Sequence, residues 1–238
     1  MEYMAIIPAR GGSKGLPRKN VKQLLGKPLI AWTIQQSLDT PEIGRTVVTT
    51  DAHRIAKVSD AFGAEAPFRR PEKISGDNAT IEVALLHCMA WYEKFEDYSP
   101  DAIVMLQCTC PVRRRGAISE AIKQFEASGA DCVVSVSPFR NLLWEEGKSK
   151  NKSKGQGAPK PLYNYQKRRR QDANATDIRY KENGSIYIIK SDILKKKKNR
   201  VAGEVSLYKM TEMEGHQIDT QLDFELMEII MQNFHERR

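Results

Sequence analysis

Residues 3–20 read YMAIIPARGGSKGLPRKN, a short apolar run followed by a loop rich in glycine and basic residues. The apolar run, residues 3–9, predicts a buried β-strand, because short continuous apolar runs that end at a turn are typical of strands covered on both faces. A helical stretch follows from Pro28 to about Leu38. The chain therefore begins with a strand, a cationic loop and a helix.

The same alternation returns further along the chain. Three more apolar runs are predicted strands: 45–50, 101–107 and 131–136. Apolar residues at helical spacing predict two helices: 52–62 and 115–128. Short apolar strands that alternate with amphipathic helices predict an α/β fold with a doubly wound, mostly parallel sheet. Ligands of such folds bind beyond the carboxyl ends of the strands, so we expect the loops after residues 8, 50 and 107 to face one crevice.

The composition agrees with a folded domain. Of the 238 residues, 40% are hydrophobic and 29% are charged, which is typical of an ordinary globular protein and excludes a disordered or collagen-like chain. Four cysteines in this length exclude a disulfide scaffold. No apolar run approaches the ~18 residues of a membrane-spanning helix, and the acidic, briefly apolar start does not match a secretory signal. We therefore expect a cytoplasmic protein that binds no membrane.

The net charge of +8 comes from one segment of the chain. Residues 140–200 carry 18 Lys and Arg residues against 6 Asp and Glu residues, whereas the rest of the chain carries 20 against 24. A protein that binds a nucleic acid usually spreads its basic residues along a recognition element, beside residues that read the bases. We therefore expect no nucleic acid as a partner. A basic nucleic-acid-binding protein stays as the alternative from another functional class.

The pattern of strands and helices is interrupted between residues 139 and 181. Residues 147–157 are polar, cationic and rich in glycine, so they cannot bury a core, and apolar residues flank them on both sides. We expect residues 139–181 to form an inserted arm, and a partner subunit is one candidate for what covers its apolar residues. The pattern resumes at Asn183 and closes with a helix over 220–236. That helix is predicted to bury Leu222, Leu226, Met227, Ile229, Ile230 and Phe234.

The loop over residues 10–20 has the composition of a phosphate-binding loop. Its glycines let backbone amides approach phosphate oxygens, and its Arg and Lys side chains neutralise a polyanion. It lacks the Walker A spacing, and it is not the dinucleotide fingerprint, because Gly11 and Gly12 are adjacent and no third glycine has the required position. On these residues alone, a solvated basic turn is an equally good interpretation.

Taken as a whole, residues 6–20 closely resemble the signature of the N-acylneuraminate cytidylyltransferases, also called CMP-sialic acid synthetases. Six further blocks resemble that family, stand in the family's order and span nearly the whole chain. They are Thr49-Thr50-Asp51, then Phe68-Arg69-Arg70-Pro71, then Leu106-Gln107 with Thr109, Pro111 and Arg113, then Arg169-Arg170-Gln171, then Asn183-Gly184-Ser185-Ile186-Tyr187, and Ile218-Asp219-Thr220 with Asp223. Seven blocks in order make the resemblance specific for the type of reaction.

The resemblance implies one cytidylyltransferase domain over residues 1–238, with the Rossmann-like nucleotidyltransferase fold. It implies transfer of a cytidylyl group from CTP to the anomeric hydroxyl of a nonulosonic acid, a nine-carbon sugar acid of the sialic type. The products are a CMP-sugar and pyrophosphate. It also implies Mg²⁺ as cofactor and a homodimer, with the arm over residues 139–181 protruding to make the dimer contact and to reach the acceptor sugar.

The resemblance also assigns residues to the CTP site. Arg10, Lys14 and Asp219 are the expected catalytic residues. The expected nucleotide-binding residues are Arg10, Gly11, Gly12, Ser13, Lys14, Lys19, Asn20 and Arg70, of which Arg10, Ser13 and Lys14 hold the triphosphate and Arg70 lies near the cytidine. The chemistry agrees with this assignment, because the hydroxyl attacks a phosphorus surrounded by about four negative charges and needs positioning and charge neutralisation.

The expected acceptor-binding residues are Gln107, Arg170, Gln171 and Tyr187. An arginine such as Arg170 suits a sugar carboxylate, because its planar fork binds both oxygens at once. Read without the resemblance, the run over residues 167–170 is a solvated charge run or a nuclear localisation signal. The expected metal ligands are Asp219 and Asp223, since Mg²⁺ takes one or two carboxylates plus phosphate oxygens.

Two departures from the family pattern concern the site. The family often has a second carboxylate two residues before the metal-binding aspartate, and here that residue is Gln217. The usual Gln-Pro-Thr-Ser-Pro-Leu-Arg run carries Cys108 and Cys110 in place of Pro and Ser, so the loop that contacts the acceptor can differ in shape. The four cysteines are expected to pack as small apolar side chains.

Two alternatives stay open. Asp51, at the end of the second predicted strand, is interpreted as the N-cap of the next helix, with a nucleotide contact as the alternative. Within the same fold, the alternative function is another nucleotidyltransferase, one that activates KDO, methylerythritol phosphate or a hexose phosphate.

Overall fold

A computed structural model describes residues 1–13, 15–139, 143–147, 157–162 and 179–236. The strands are β1 (Tyr3–Pro8), β2 (Gln23–Leu24), β3 (Lys27–Pro28), β4 (Ile43–Thr49), β5 (Ala102–Leu106), β6 (Cys132–Phe139), β7 (Trp144–Gly147), β8 (Gly157–Pro161), β9 (Arg179–Lys190) and β10 (Val205–Lys209). The helices are α1 (Leu29–Leu38), α2 (His53–Ala61), α3 (Ile81–Glu96), α4 (Ala117–Ser128), α5 (Ser191–Lys197) and α6 (Gln221–Glu236).

A six-stranded sheet with the strand order β10-β6-β9-β5-β1-β4 forms the centre of the fold. β1 lies between β4 and β5 and is parallel to both, and β10 is parallel to β6. Helices α1 and α3 both contact β1, whose residues Met4, Ile6 and Ile7 are completely buried. The predicted α/β fold with a mostly parallel sheet is confirmed.

β9 is the exception, because it runs antiparallel to β5 and pairs Ile186 with Leu106. An antiparallel neighbour brings the start of one strand beside the end of the other. The Asn183-Gly184-Ser185 segment of β9 therefore lies at the carboxyl end of β5, next to Gln107. This pairing puts two of the sequence blocks at one edge of the sheet.

The predicted strands and helices up to residue 136 are confirmed, with boundaries shifted by a few residues. The sequence analysis did not predict α3, α5 or β10. Both of the longest helices, α3 and α6, have 16 residues. Across the described ranges, no helix combines the length and the apolar character needed to cross a membrane.

The closing helix is confirmed, but part of its predicted buried face is wrong. Met227 is buried as predicted, together with Phe224 and Met231, whereas Leu222 is 64% exposed and Ile229 is 56% exposed. Leu226 is also exposed. The helical period explains the error, because Leu222, Leu226 and Ile229 share the face opposite to Phe224, Met227 and Met231.

The chain divides into two units, Met1–Ser137 with Glu182–Arg238, and Pro138–Lys181. In the second unit, the structure describes an antiparallel hairpin of β7 and β8, in which the Leu162 N–H donates to the carbonyl of Leu143 (2.8 Å). Trp144 on this hairpin is 57% exposed. The dimer contact of the arm over residues 139–181 stays a prediction.

Candidate active site

A cavity of about 360 Å³ opens at the carboxyl ends of β1 and β5. Six of the residues predicted from the sequence line it: Arg10, Ser13, Lys19, Asn20, Arg70 and Gln107. The loop over residues 74–80 and the start of α3 form the opposite wall. A second cavity of about 390 Å³ lies between α1, α4 and α6 and contains none of the predicted residues. We therefore take the first cavity as the candidate active site.

Three predicted residues, Lys14, Arg170 and Gln171, lie outside the described residues. Their roles at the triphosphate and at the acceptor sugar stay predictions.

The glycine-rich loop is held against the end of β4 by Asp51. The Gly11 N–H donates to Oδ1 of Asp51 (2.8 Å). A Cβ at Gly11 would lie 2.8 Å from the Cβ of Ala52, so only glycine permits this approach. The preferred interpretation of Asp51 as the N-cap of α2 is wrong, because Ala52 is the N-cap residue of that helix. The N–H of Ala52 donates to Oγ1 of Thr50 and not to Asp51. Neither Gly11 nor Gly12 is among the lining residues, and their nucleotide contacts stay predictions.

Asn20 closes the loop upon itself. Its Nδ2 donates to the carbonyl of Arg10 (3.1 Å), and its side chain is buried. The two ends of the loop are thereby joined by a hydrogen bond that does not depend on a ligand. Asn20 is thus placed to keep the shape of the loop.

The Arg10 side chain crosses the cavity toward the loop before α3. Its NH1 group forms an ion pair with Oδ1 of Asp77 (3.0 Å) and approaches the carbonyl of Gly76 (3.5 Å). Arg10 is 37% exposed and Asp77 is 49% exposed. Exposed ion pairs contribute little free energy, so the guanidinium can exchange this carboxylate for another anion. The sequence analysis missed Asp77, since no motif marked it.

Lys19 joins the glycine-rich loop to the segment before α6. Its buried Nζ donates to the carbonyl of Ile218 (2.6 Å) and lies 3.2 Å from Oδ1 of Asp219. Gly15 allows the same approach, because a Cβ there would lie 2.2 Å from the Asp219 carbonyl oxygen. The loop and the predicted metal-binding aspartate therefore belong to one site, although more than 190 residues separate Lys19 from Ile218.

Arg70 supplies a buried cation to the same cavity. Its Nε donates to Oγ of Ser75 (3.0 Å), and its NH2 lies 3.9 Å from Oδ1 of Asp51. Burial lowers the pKa of Arg70, and the nearby Asp51 carboxylate opposes this effect. Asp51 therefore contacts both the glycine-rich loop and the arginine predicted to lie near the cytidine.

Asp223 caps the closing helix. Its Oδ2 accepts hydrogen bonds from the backbone N–H groups of Asp219 (3.0 Å) and Thr220 (2.8 Å), and Oγ1 of Thr220 accepts from the Asp223 N–H (3.2 Å). This reciprocal pair is a capping box. Burial raises the pKa of Asp223, but the hydrogen bonds outweigh it and the net shift is downward. Its role as a metal ligand stays a prediction.

The surroundings of Asp219 are compatible with a magnesium ion whose other ligands are phosphate oxygens and water, and its role as a metal ligand stays a prediction. The Asp219 carboxylate is 68% exposed. Within the described ranges, no group of three or more His, Cys, Asp or Glu side chains is placed to hold a metal. Gln217 is committed elsewhere, because its Nε2 donates to the carbonyl of Asn183 (2.6 Å). A single exposed carboxylate matches Mg²⁺, which needs few protein ligands when phosphate oxygens complete its shell.

Gly184 brings the predicted acceptor residue Gln107 against β9. It has a φ of +69°, and a Cβ there would lie 2.9 Å from Oε1 of Gln107 and 2.5 Å from Nε2 of Gln217. Asn183 beside it is buried and fixed by two serines of β6, since Ser135 Oγ donates to its Oδ1 (2.6 Å) and its Nδ2 donates to Ser137 Oγ (2.9 Å). This buried network fixes the position of Gly184.

Tyr187 is also part of β9, but it does not line the cavity. It is 3% exposed, and its hydroxyl donates to Oε1 of Glu182 (3.2 Å). The Arg200 guanidinium lies over its ring, 5.0 Å from the centroid. Burial raises the pKa of Tyr187 to about 12, so the phenol stays protonated at neutral pH. A contact with the acceptor sugar stays a prediction.

Glu214 is a buried carboxylate that the sequence analysis missed. Its Oε2 accepts from the N–H (3.1 Å) and Oγ1 (2.8 Å) of Thr211, and its Oε1 accepts from the Arg114 N–H (3.1 Å). It thereby joins the loop after β5 to the segment that leads to Asp219. Burial raises its pKa, but these hydrogen bonds outweigh it, and the net pKa lies below the ordinary value of 4.5.

We expect Glu214→Gln to lower the free energy of unfolding by about 2 kcal/mol at pH 7, because the amide cannot accept all of these hydrogen bonds. A carboxyl with a lowered pKa adds stability above its ordinary pKa, and that stability is lost as the pH falls through the folded-state value. The difference in the free energy of unfolding between wild type and Glu214→Gln should therefore become smaller below pH 4.5. Urea unfolding between pH 7 and pH 3 measures it, with exposed Glu212→Gln as the matched control. A gap that is constant with pH would contradict this account.

Comparison with known proteins identifies relatives of this chain. The family model described as Cytidylyltransferase matches residues 4–235. The chain is 33% identical to the CMP-N,N'-diacetyllegionaminic acid synthase of Legionella pneumophila, with 98% of this chain and 97% of that protein covered. It is 30% identical to the N-acylneuraminate cytidylyltransferase of Escherichia coli and 31% identical to N-acylneuraminate cytidylyltransferase A of Danio rerio.

These last two matches cover 97% and 94% of this chain, but the chain spans only about half the length of those relatives, 52% and 49%. Among solved structures, the fold is similar to CMP:2-keto-3-deoxy-manno-octonic acid synthetase complexed with CTP, with a TM-score of 0.71. That match covers 98% of this chain and 99% of the other at 17% identity. At this identity, the likeness supports the fold alone.

Proposed function

The chain belongs to the cytidylyltransferase family, and from that membership we propose that it transfers a cytidylyl group from CTP to the anomeric hydroxyl of a nonulosonic acid. The products are a CMP-sugar and pyrophosphate. The observation that carries the proposal is the cavity at the end of β1, where Arg10, Ser13, Lys19 and Asn20 meet Arg70.

In the proposed reaction, the anomeric hydroxyl oxygen forms a bond to the α-phosphorus of CTP. The bond between that phosphorus and the bridging oxygen breaks, pyrophosphate leaves, and the hydroxyl proton passes to solvent. Arg10 holds the triphosphate together with Ser13 and Lys14. When the Arg10 guanidinium leaves Asp77 for a phosphate oxygen, its charge is still neutralised. Lys19 holds Asp219 beside this site.

We propose that Asp219 binds Mg²⁺ with the assistance of Asp223. When bound, the ion supplies positive charge at the phosphates and acidifies the attacking hydroxyl. The remaining work of the protein is positioning: Arg70 holds the nucleoside end, and Gln107 holds the acceptor beside Gly184. Proximity of this kind lowers the barrier by removing the entropic cost of a bimolecular encounter.

The proposed acceptor site also includes Arg170, Gln171 and Tyr187. Arg170 pairs with the sugar carboxylate, which distinguishes a sugar acid from a neutral sugar. The proposals of a homodimer and of a cytoplasmic location rest on the resemblance to the family and on composition.

Release of pyrophosphate from CTP tests the proposed function directly. We expect release only when CTP, Mg²⁺ and a nine-carbon acid are all present, with neuraminic, legionaminic and pseudaminic acids as the acceptor panel and UTP as the nucleotide control. Release with KDO and with none of the nine-carbon acids would favour the alternative KDO-type function. Release with neither KDO nor any of the nine-carbon acids would contradict both.

A further inference from the structure

Arg113 is a buried arginine that the proposed reaction does not use. It follows β5 by seven residues and is only 3% exposed. Burying a charged group costs several kcal/mol unless hydrogen bonds replace its water shell. Burial lowers the pKa of Arg113 to about 10, so the guanidinium still carries its charge at neutral pH.

The hydrogen bonds of Arg113 join three separate parts of the fold. Its NH2 donates to the carbonyl of Gln107 (2.9 Å) and to the carbonyl of Ser185 (2.8 Å). Its NH1 donates to Oε1 of Gln36 (2.8 Å) and to Oγ1 of Thr33 (3.3 Å). One planar group therefore holds the end of β5 and the start of the buried part of β9 to helix α1.

The loop that Arg113 closes carries groups of the proposed active site. Gln107 begins this loop, and its carbonyl also accepts from the Cys110 N–H (3.3 Å). Further along the loop, the Thr109 carbonyl accepts from the Ile218 N–H (2.9 Å), and Ile218 directly precedes Asp219. The position of the loop therefore affects Gln107 directly and Asp219 through one hydrogen bond.

We infer that Arg113 is a positioning residue of the cytidylyl transfer site, which fixes Gln107 against Gly184 for the acceptor sugar and supports the segment that carries Asp219. The inference rests on the proposed function, because it assigns the acceptor side to Gln107. Arg113 does not line the candidate active site and acts through the loop and through its hydrogen bond to Ser185, next to Gly184. Lysine cannot replace it, since an ammonium lacks the planar fork that reaches both carbonyls and the Gln36 side chain.

Steady-state kinetics of Arg113→Met and Arg113→Lys test the inference. We expect KM for the sugar acid to rise and kcat to fall, each by about 10-fold, because a small misplacement of a positioned group is costly. KM for CTP should rise less than KM for the sugar acid, because Arg10 and Arg70 are held by other elements. Arg115→Met removes the same charge from an exposed position nearby and is the matched control. The inference would be overturned if KM rose equally for CTP and for the sugar acid. It would also be overturned if both KM values were unchanged and only the fraction of active enzyme fell, since either result shows a purely structural role.

Amide hydrogen exchange tests the positioning role of Arg113 without measuring enzyme activity. In Arg113→Met, the amides of Cys110 and Ile218 should exchange faster while those of β4 keep their protection, since local opening is separable from global unfolding. If Arg113→Met does not fold, Gln36→Met removes one acceptor and should show the same pattern with a smaller change. Unchanged exchange at Cys110 and Ile218 would overturn the inference. A wild type that releases no pyrophosphate with any acid would instead contradict the proposed function, while the exchange result still decides the role of Arg113.

Discussion

Arg10→Ala is expected to lower kcat/KM for CTP by about 10²- to 10³-fold, the usual loss when a charged donor to a reacting phosphate or oxyanion is removed. The reason is the position of its guanidinium, which lies at the cavity and pairs with the Asp77 carboxylate. Loss of this exposed ion pair costs little stability, so the folded enzyme should be retained. Pyrophosphate release as a function of CTP concentration measures the effect.

Arg69→Ala is the matched control for Arg10→Ala. Arg69 is an exposed arginine next to Arg70, and it does not line the cavity. The two variants have the same net charge, so they separate a local contact from the general attraction of a basic protein for a polyanion. Equal activity of the two variants would contradict a phosphate-binding role for Arg10.

Asp219→Asn is expected to lower kcat by about 10²-fold or more and to raise the Mg²⁺ concentration that gives half-maximal activity. The neutral amide loses the charge that attracts the ion, and it also weakens the contact with Lys19, which lies 3.2 Å from Oδ1. Binding of Mn²⁺ to the complex of enzyme and CTP gives a second readout that needs no turnover. Exposed Asp192→Asn on α5 is the control.

Asp223→Asn decides whether the second predicted carboxylate binds the metal. Its Oδ2 already accepts hydrogen bonds at the start of α6, so loss of the cap should lower stability by about 1 kcal/mol. If Asp223 serves only as the cap, metal dependence should not change. Unchanged metal dependence in Asp219→Asn would mean that the ligand lies elsewhere.

The opening strand, loop and helix could be predicted from the sequence because their signals are local. An apolar run followed by glycines and cations specifies both the buried strand and the turn after it. The antiparallel direction of β9 could not be predicted, because apolar periodicity reports burial and carries no information about strand direction. The position of Gly184 beside Gln107 depends on that direction, so this part of the site required the structure.

Helix α3 was missed because its apolar residues do not form a single stripe. Leu85 and Met89 are buried, while Val83 and Phe95, on the same helix, are exposed. The opposite error concerns α6, where Leu222 and Ile229 are predicted to be buried but lie on the exposed face of the helix. A pattern of apolar residues predicts a helix more reliably than it predicts which residues the tertiary structure covers.

Asp51 and Arg113 show why residue roles are harder to predict than elements. Asp51 lies at a position where helix caps are common. Only the structure shows that Gly11 lies beside Asp51 and that Asp51 therefore holds the glycine-rich loop. Arg113 belongs to a recognised block, but nothing in the sequence marks an arginine as buried. Both roles depend on contacts between segments that are distant along the chain.

A crystal structure of the protein with CTP and Mg²⁺ tests the central claim most directly. The account predicts that the triphosphate lies against residues 10–20, that Arg10 has left Asp77 for a phosphate oxygen, and that the cytosine lies near Arg70. A nucleotide bound in the second cavity between α1, α4 and α6, with the Arg10 and Asp77 pair intact, would contradict it.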